Sequence, residues 1–173
     1  MNILVLGLGN TLLHDDGLGV RAVERLQENY RLPEAVLALQ GDGFGPALVP
    51  LLEGATHLLI LSAVRGARQP GSIMHLQGTE IPAIVLRPRL SLHKPGVEDV
   101  LWGAWTLGLW PRQTVLLGMQ PASIERSAGL SPLVSAGLDA LVAQAAGQLR
   151  AWGAEPARIH WAANVASLQA IPA

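Results

Sequence analysis

Two adjacent carboxylates, Asp15 and Asp16, follow an apolar run, Ile3-Leu4-Val5-Leu6, that breaks at Gly7-Leu8-Gly9-Asn10. A short apolar run bounded by glycines reads as a buried strand, and the glycines let the chain turn tightly where that strand ends. In open α/β sheets ligands bind in the crevice outside the carboxyl ends of the strands. Acids just after a first strand are therefore candidate metal ligands or catalytic groups. The alternative is that Asp15 or Asp16 caps the helix beginning near Gly17-Leu18-Gly19-Val20, accepting hydrogen bonds from its free N–H groups. Gly7 and Gly9 do not complete a dinucleotide-binding turn, because the third glycine is missing at its spacing and acids would face the phosphates.

Among the five histidines, His57 and His75 fall in expected strands, where a hydrogen-bonded structural role is the default. His160 lies in the carboxyl-terminal tail, and His14 adjoins the acidic pair. His93 differs, because Ser91-Leu92-His93-Lys94-Pro95-Gly96 is a loop leading into a helix, and loops on a rigid scaffold concentrate ligands and catalytic groups. The chain has no HExxH zinc-protease motif and no pattern for a serine triad. With no cysteine, disulfides, thiolate zinc sites and a cysteine nucleophile are excluded, leaving oxygen and imidazole chemistry.

These groups need a scaffold. The chain has 173 residues, half of them hydrophobic, and a formal net charge of −1, which fits one domain with a substantial core. Its arginines are scattered, so no electrostatic footprint for nucleic acid is present. No basic segment followed by an apolar stretch opens the chain, and runs such as residues 58–64 are far shorter than the roughly 20 residues of a membrane helix. No membrane association and a cytoplasmic location are the expectations.

Apolar β-prone runs alternate with helical patterns, the form of an α/β fold. The expected architecture is a three-layer sandwich, a mostly parallel twisted sheet of about five strands with one antiparallel edge strand and helices on both faces. Strands are expected at 2–6, 35–39, 57–61, 71–76 and 114–119, with a weaker one at 83–86. The strand at 71–76 follows a turn, residues 65–70, too short for a parallel crossover, so it is placed antiparallel at an edge.

Helices are expected at about 17–29, with Val20, Val23, Leu26 and Tyr30 on one face, and at 46–53. A third at 97–107 carries the stripe Val100, Leu101, Ala104 and Leu107. The last opens with Ser131 as N-cap and Pro132 as its first residue, and ends near Trp152 with Gly153 as C-cap. Residues 1–153 form the domain. Residues 154–173 are a tail without strong periodicity, either poorly ordered or docked on the surface. Trp102 and Trp105, three apart on one helix face, are expected in the core, with a docking surface as the second reading.

The opening segment, Ile3 through Gly7-Leu8-Gly9-Asn10-Thr11-Leu12-Leu13-His14-Asp15-Asp16-Gly17-Leu18-Gly19-Val20, resembles the amino terminus of the hydrogenase maturation endopeptidases. The same family order is echoed in Gly41-Asp42-Gly43, in His57-Leu58-Leu59-Ile60-Leu61-Ser62-Ala63-Val64, and in Pro70-Gly71-Ser72-Ile73. Ser91-Leu92-His93-Lys94, Gly118-Met119-Gln120-Pro121 and Gly129-Leu130-Ser131-Pro132 complete it. The resemblance covers about residues 1–152. It implies an endopeptidase that removes the carboxyl-terminal peptide from the large-subunit precursor of a nickel–iron hydrogenase and recognises the nickel that this partner carries.

By that resemblance Asp16 takes the first metal-binding position, where the family more often has glutamate, and His93 the third. The second, an aspartate in most of the family, is Ser62 here. A hydroxyl is a poor donor for a borderline metal. The family also commonly has an acid where this chain has Gln40, and Asp42, two residues on, is either a substitute carboxylate on the same face or an ordinary turn residue. The departures at Ser62 and Gln40 motivate a competing expectation, a catalytically impaired relative acting as a hydrogenase assembly or large-subunit-binding factor.

Overall fold

The computed structural model describes residues 1–41, 47–66, 68–78, 81 and 97–159. Strand β1 (Ile3–Gly7) is buried along its whole length, as a run of Ile, Leu and Val covered on both faces must be. A 3-10 turn at His14–Gly17 leads into α1 (Leu18–Asn29). There follow β2 (Tyr30–Arg31), β3 (Val36–Gln40), α2 (Leu48–Gly54), β4 (His57–Ala63), β5 (Ile73–Gln77), α3 (Val97–Thr106), β6 (Gln113–Met119), α4 (Pro132–Ala151) and β7 (Ala157–Arg158).

Five strands form the central sheet in the order β3-β1-β4-β6-β5. All neighbours are parallel except β5, which runs antiparallel along β6 at the edge. The expected architecture is the observed one. The expected strand at 83–86 lies outside the described residues.

Alternating side chains of the sheet feed two cores, one on each face. Ile3, Val5, Val36, Ala38, Leu59, Leu61, Val115 and Leu117 pack with the buried faces of α1 and α4. Leu4, Leu6, Leu58, Ile60 and Leu116 pack with Leu48 and Leu52 of α2 and Val100, Leu101 and Ala104 of α3. Helix α4 starts as its sequence requires: the Ser131 hydroxyl accepts from Val134 N–H, and proline occupies the first turn.

Two expectations about α3 are corrected. Trp102 and Trp105 are exposed, at 36% and 42%, and pack on each other with ring centroids 5.2 Å apart. The buried stripe of α3 is Val100, Leu101 and Ala104, so residues 102 and 105 are turned away from it. Leu107 lies past the helix end and is exposed.

The start of the tail is docked. Residues Ala157–Arg158 pair antiparallel with Tyr30–Arg31, so Tyr30 is extended and α1 ends at Asn29. The Arg150 guanidinium sits 5.9 Å above the Tyr30 ring, adding a cation–π contact to this seam.

Candidate functional site

The strand order reverses direction about β1: the chain passes from β1 outward to β3, then returns to β4 on the other side of β1. In open α/β sheets ligands bind outside the carboxyl ends of the strands at such a reversal. Asp16 follows β1 and Ser62 closes β4, so both stand on this rim. The two strands pair in register, Gly7 beside Leu61, and the alignment continues past β1 with Leu8 N–H donating to Leu61 O at 2.8 Å.

Two glycines bring the acidic turn to this rim. Gly9 has φ +132, and a Cβ there would collide with the Asp16 carbonyl, so the turn folds back onto itself only with glycine at that position. Gly19, in the first turn of α1, presses against the Leu61 and Leu8 carbonyls, where no side chain fits. The Gly-rich pattern that suggests a phosphate cradle serves helix-to-strand packing instead.

The adjacent acids have opposite environments. Successive residues of a 3-10 turn project about 120° apart, so when one points inward the next does not. Asp15 is fully inaccessible to solvent. It accepts from Ala122 N–H at 2.9 Å, Ser123 N–H at 3.0 Å, Ser131 N–H at 2.6 Å and the Ser131 hydroxyl at 2.8 Å. Burial pushes its carboxyl up, but the hydrogen bonds from Ser123, Ser131 and Ala122 outweigh that, and its pKa lies below the usual carboxylate value.

Asp16 is half-buried. One of its oxygens, Oδ2, accepts from Asn10 N–H at 3.0 Å, and Oδ1 has no hydrogen-bond partner among the described residues. Asn10 is itself fixed by accepting from Leu12 N–H at 2.9 Å.

Neither acid caps α1, which corrects that expectation. The helix has Gly17 as N-cap and no side-chain cap bond. The 3-10 turn intervenes, so the carboxylates reach N–H groups of other loops rather than those of the helix that follows.

His14, in the same turn, has φ 47, and its Nδ1 lies 2.7 Å from Gly129 O. A carbonyl only accepts, so Nδ1 carries the proton.

Ser62 is half-buried, and its hydroxyl donates to the adjacent Ala63 carbonyl at 3.2 Å. By strand parity it shares the face of Leu58 and Ile60, which α2 and α3 cover. Gln40 ends β3 on the other face, with Val36 and Ala38, and donates to Glu24 of α1 at 3.3 Å. Asp42 and His93 lie outside the described residues. Among the described residues no three His, Asp or Glu side chains gather into a metal cluster.

His57 starts β4, at the opposite end of the strand from Ser62, and packs at a tilt of 55° against Trp152 with centroids 4.9 Å apart. His75, on β5, pairs with Gln77 at 3.1 Å.

A family model described as hydrogenase maturation protease matches residues 20–148. The chain belongs to the hydrogenase maturation protease family. It is therefore a member of a family of hydrolases of the endopeptidase class. It is 40% identical over 154 residues to a hydrogenase expression/formation protein of Rhodobacter capsulatus, covering 88% of this chain and 73% of that one. It is 38% identical over 156 residues to the hydrogenase 2 maturation protease of Escherichia coli, covering 90% of this chain and 94% of that protein. A solved hydrogenase maturating endopeptidase from E. coli superposes with a TM-score of 0.80 at 37% identity, over 91% of this chain and 98% of that one. This maturation protease has Asp16 just after β1 and a serine, Ser62, one residue before the end of β4. Among the described residues no helix is long and apolar enough to cross a membrane.

The role of Asp15 is not legible in the sequence. Its partners lie 107, 108 and 116 residues away, and no local pattern distinguishes the inward acid of the pair from the outward one.

Proposed function

We propose that this maturation protease removes the carboxyl-terminal peptide of a nickel–iron hydrogenase large-subunit precursor. The observation that carries the reading is Asp16 on the rim at the strand-order reversal, with one carboxylate oxygen bonded to Asn10 and the other without a partner among the described residues, in a chain of this family. The metal is part of the substrate. In this reading the precursor's nickel docks in the crevice between β1 and β4, where Asp16 and His93 engage it and Asp42 is the candidate substitute for the acid that Ser62 replaces.

The donor types fit a borderline metal, an anionic oxygen and an imidazole, but they make a thinner set than three ligands would. The nickel bound to the precursor would polarise the scissile carbonyl and acidify a nearby water, which would let hydrolysis proceed without a side-chain nucleophile. The chain's contribution is to hold Asp16 beside the carboxyl ends of β1 and β4, through the Asn10 bond and the close passage of Gly9.

The test is incubation of the purified protein with nickel-loaded precursor, followed by mass measurement of the large subunit. Loss of the terminal peptide, abolished by Asp16→Asn, is the expected result. Stable binding without cleavage would reject the protease reading in favour of the assembly-factor one that Ser62 motivates.

A further inference from the structure

Asp15 has no role in the reading above, yet it is the most completely bound polar side chain described. We infer that Asp15 is a positioning residue for the reaction: its buried carboxylate ties the acidic turn to the loop between β6 and α4, and so fixes where Asp16 stands. The inference rests on the reading of Asp16 as a group that meets the substrate.

The core of the molecule does not require this link. Helix α4 is already seated by its apolar face and capped by Ser131, and β6 is held in the sheet on both sides. What the link sets is the position of a turn that otherwise belongs to a loop. Four hydrogen bonds converge on Asp15, and two backbone bonds run parallel to them, Asp15 N–H to Ser123 O and His14 N–H to Ser127 O, each 3.1 Å. His14 adds its ring bond to Gly129 O.

All of these lie on the α4 side of the turn. On the other side the turn is held by Asp16 itself, through Asn10 N–H, and by the close passage of Gly9. The outward carboxylate is thus held between two anchors. Loss of the Asp15 carboxylate removes four of these bonds and leaves the backbone bonds of His14 and Asp15, the His14 ring bond and the Asn10 bond of Asp16 to set its place. A displacement of about 1 Å in a reacting group costs on the order of a hundredfold in rate. Substrate affinity, spread over a far larger surface, hardly changes.

The anchor has a natural graded perturbation. Ser131→Ala removes one of the four donors while the Ser131 N–H remains, and Ser131→Thr restores a hydroxyl. Asp15→Asn replaces an acceptor of four bonds with a group that places an NH₂ against N–H donors.

The experiment measures single-turnover cleavage of nickel-loaded precursor at saturating protein, precursor affinity, and folding by circular dichroism, at a temperature where the variants are folded. Asp15→Asn is expected to lower the cleavage rate about 10- to 100-fold with affinity within about twofold. Ser131→Ala is expected to lower it by a smaller factor, about threefold to tenfold, and Ser131→Thr to recover most of the loss. Should Asp15→Asn fail to fold, the Ser131 pair decides, by the same rescue criterion.

Folded variants that cleave at the wild-type rate, or a Ser131→Ala loss that threonine does not recover, would overturn the inference. Asp16→Asn separates the two readings. If it cleaves at the wild-type rate, the role of Asp16 falls and this inference with it. If it is inactive while Asp15→Asn and Ser131→Ala are fully active, only the positioning role falls.

Discussion

The Asp15 carboxylate accepts from both the backbone N–H and the hydroxyl of Ser131, across 116 residues of sequence. The residue that caps α4 is therefore also the clamp on the acidic turn. Because the folded-state pKa of Asp15 is below its usual value near 3.8, the native state binds fewer protons than the unfolded state in that range. The resulting stability is fully present above pH 3.8 and is lost as pH falls through the lowered native value. Urea titrations between neutral and strongly acid pH should show this component, and Asp15→Asn, which cannot ionise there, should lack it.

His57 behaves with the opposite charge. Burial, with the nearby amino-terminal ammonium adding to it, lowers its pKa from the usual 6.5; the imidazole packs against Trp152, with Thr56 Oγ1 at 2.8 Å from Nδ1. Unfolding therefore takes up a proton below pH 6.5. Stability contributed by the neutral ring is complete above that pH and declines as pH falls from 6.5 toward the lowered native value. A His57→Gln variant should lose this slope in thermal melts recorded across the range; an unchanged slope would assign it to another group.

Gly19 and Gly147 are both helical glycines with opposite expected outcomes. A Cβ on Gly19 runs into the Leu61 and Leu8 carbonyls, whereas one on Gly147 meets nothing within 4 Å. Gly19→Ala should cost more than about 2 kcal/mol and displace the turn bearing Asp16. Gly147→Ala should gain about 0.5–1 kcal/mol through helix propensity and a less flexible unfolded chain. Chemical denaturation of the two variants checks both signs.

Trp102 and Leu101 are neighbours on α3 with unequal burial, 36% exposed against fully buried. Leu101→Ala should cost about 2–5 kcal/mol. Trp102→Ala should cost about 1 kcal/mol or less, because the ring is partly exposed and lies outside the buried stripe of α3. Equal losses in denaturant midpoints would show that the pair is core after all.

Ser62→Asp tests the rim directly. A carboxylate at the end of β4 should tighten binding of cadmium or nickel to the isolated protein by about tenfold or more, read by calorimetry, if position 62 shares its crevice with Asp16 and His93. Unchanged affinity would mean that the serine does not stand in a metal site.

Much of the architecture follows from the order of residues alone. An apolar run closed by glycines, as at Ile3–Gly7, has one low-energy fate, and β5 had to be antiparallel because the connection from β4 is too short to cross over. Ser131-Pro132 at the head of α4 is equally local, since the cap and the first turn are made by neighbouring atoms.

Where the reading failed, the deciding contact was distant. Trp102 and Trp105 have the spacing of a buried stripe, but which of two overlapping faces of α3 meets the sheet is fixed by Leu58, Ile60 and Leu116, not by the helix. Asp15 and Asp16 are chemically identical neighbours. Tertiary structure separates them, because a 3-10 turn sends one side chain toward Ala122, Ser123 and Ser131 and leaves the other on the rim, and hydrogen bonds across more than a hundred residues leave no trace in local sequence. The sequence thus determined that carboxylates stand after the first strand of an α/β sheet. Only the folded chain decided that Asp15 is the one buried against the loop before α4, because its partners lie more than a hundred residues away.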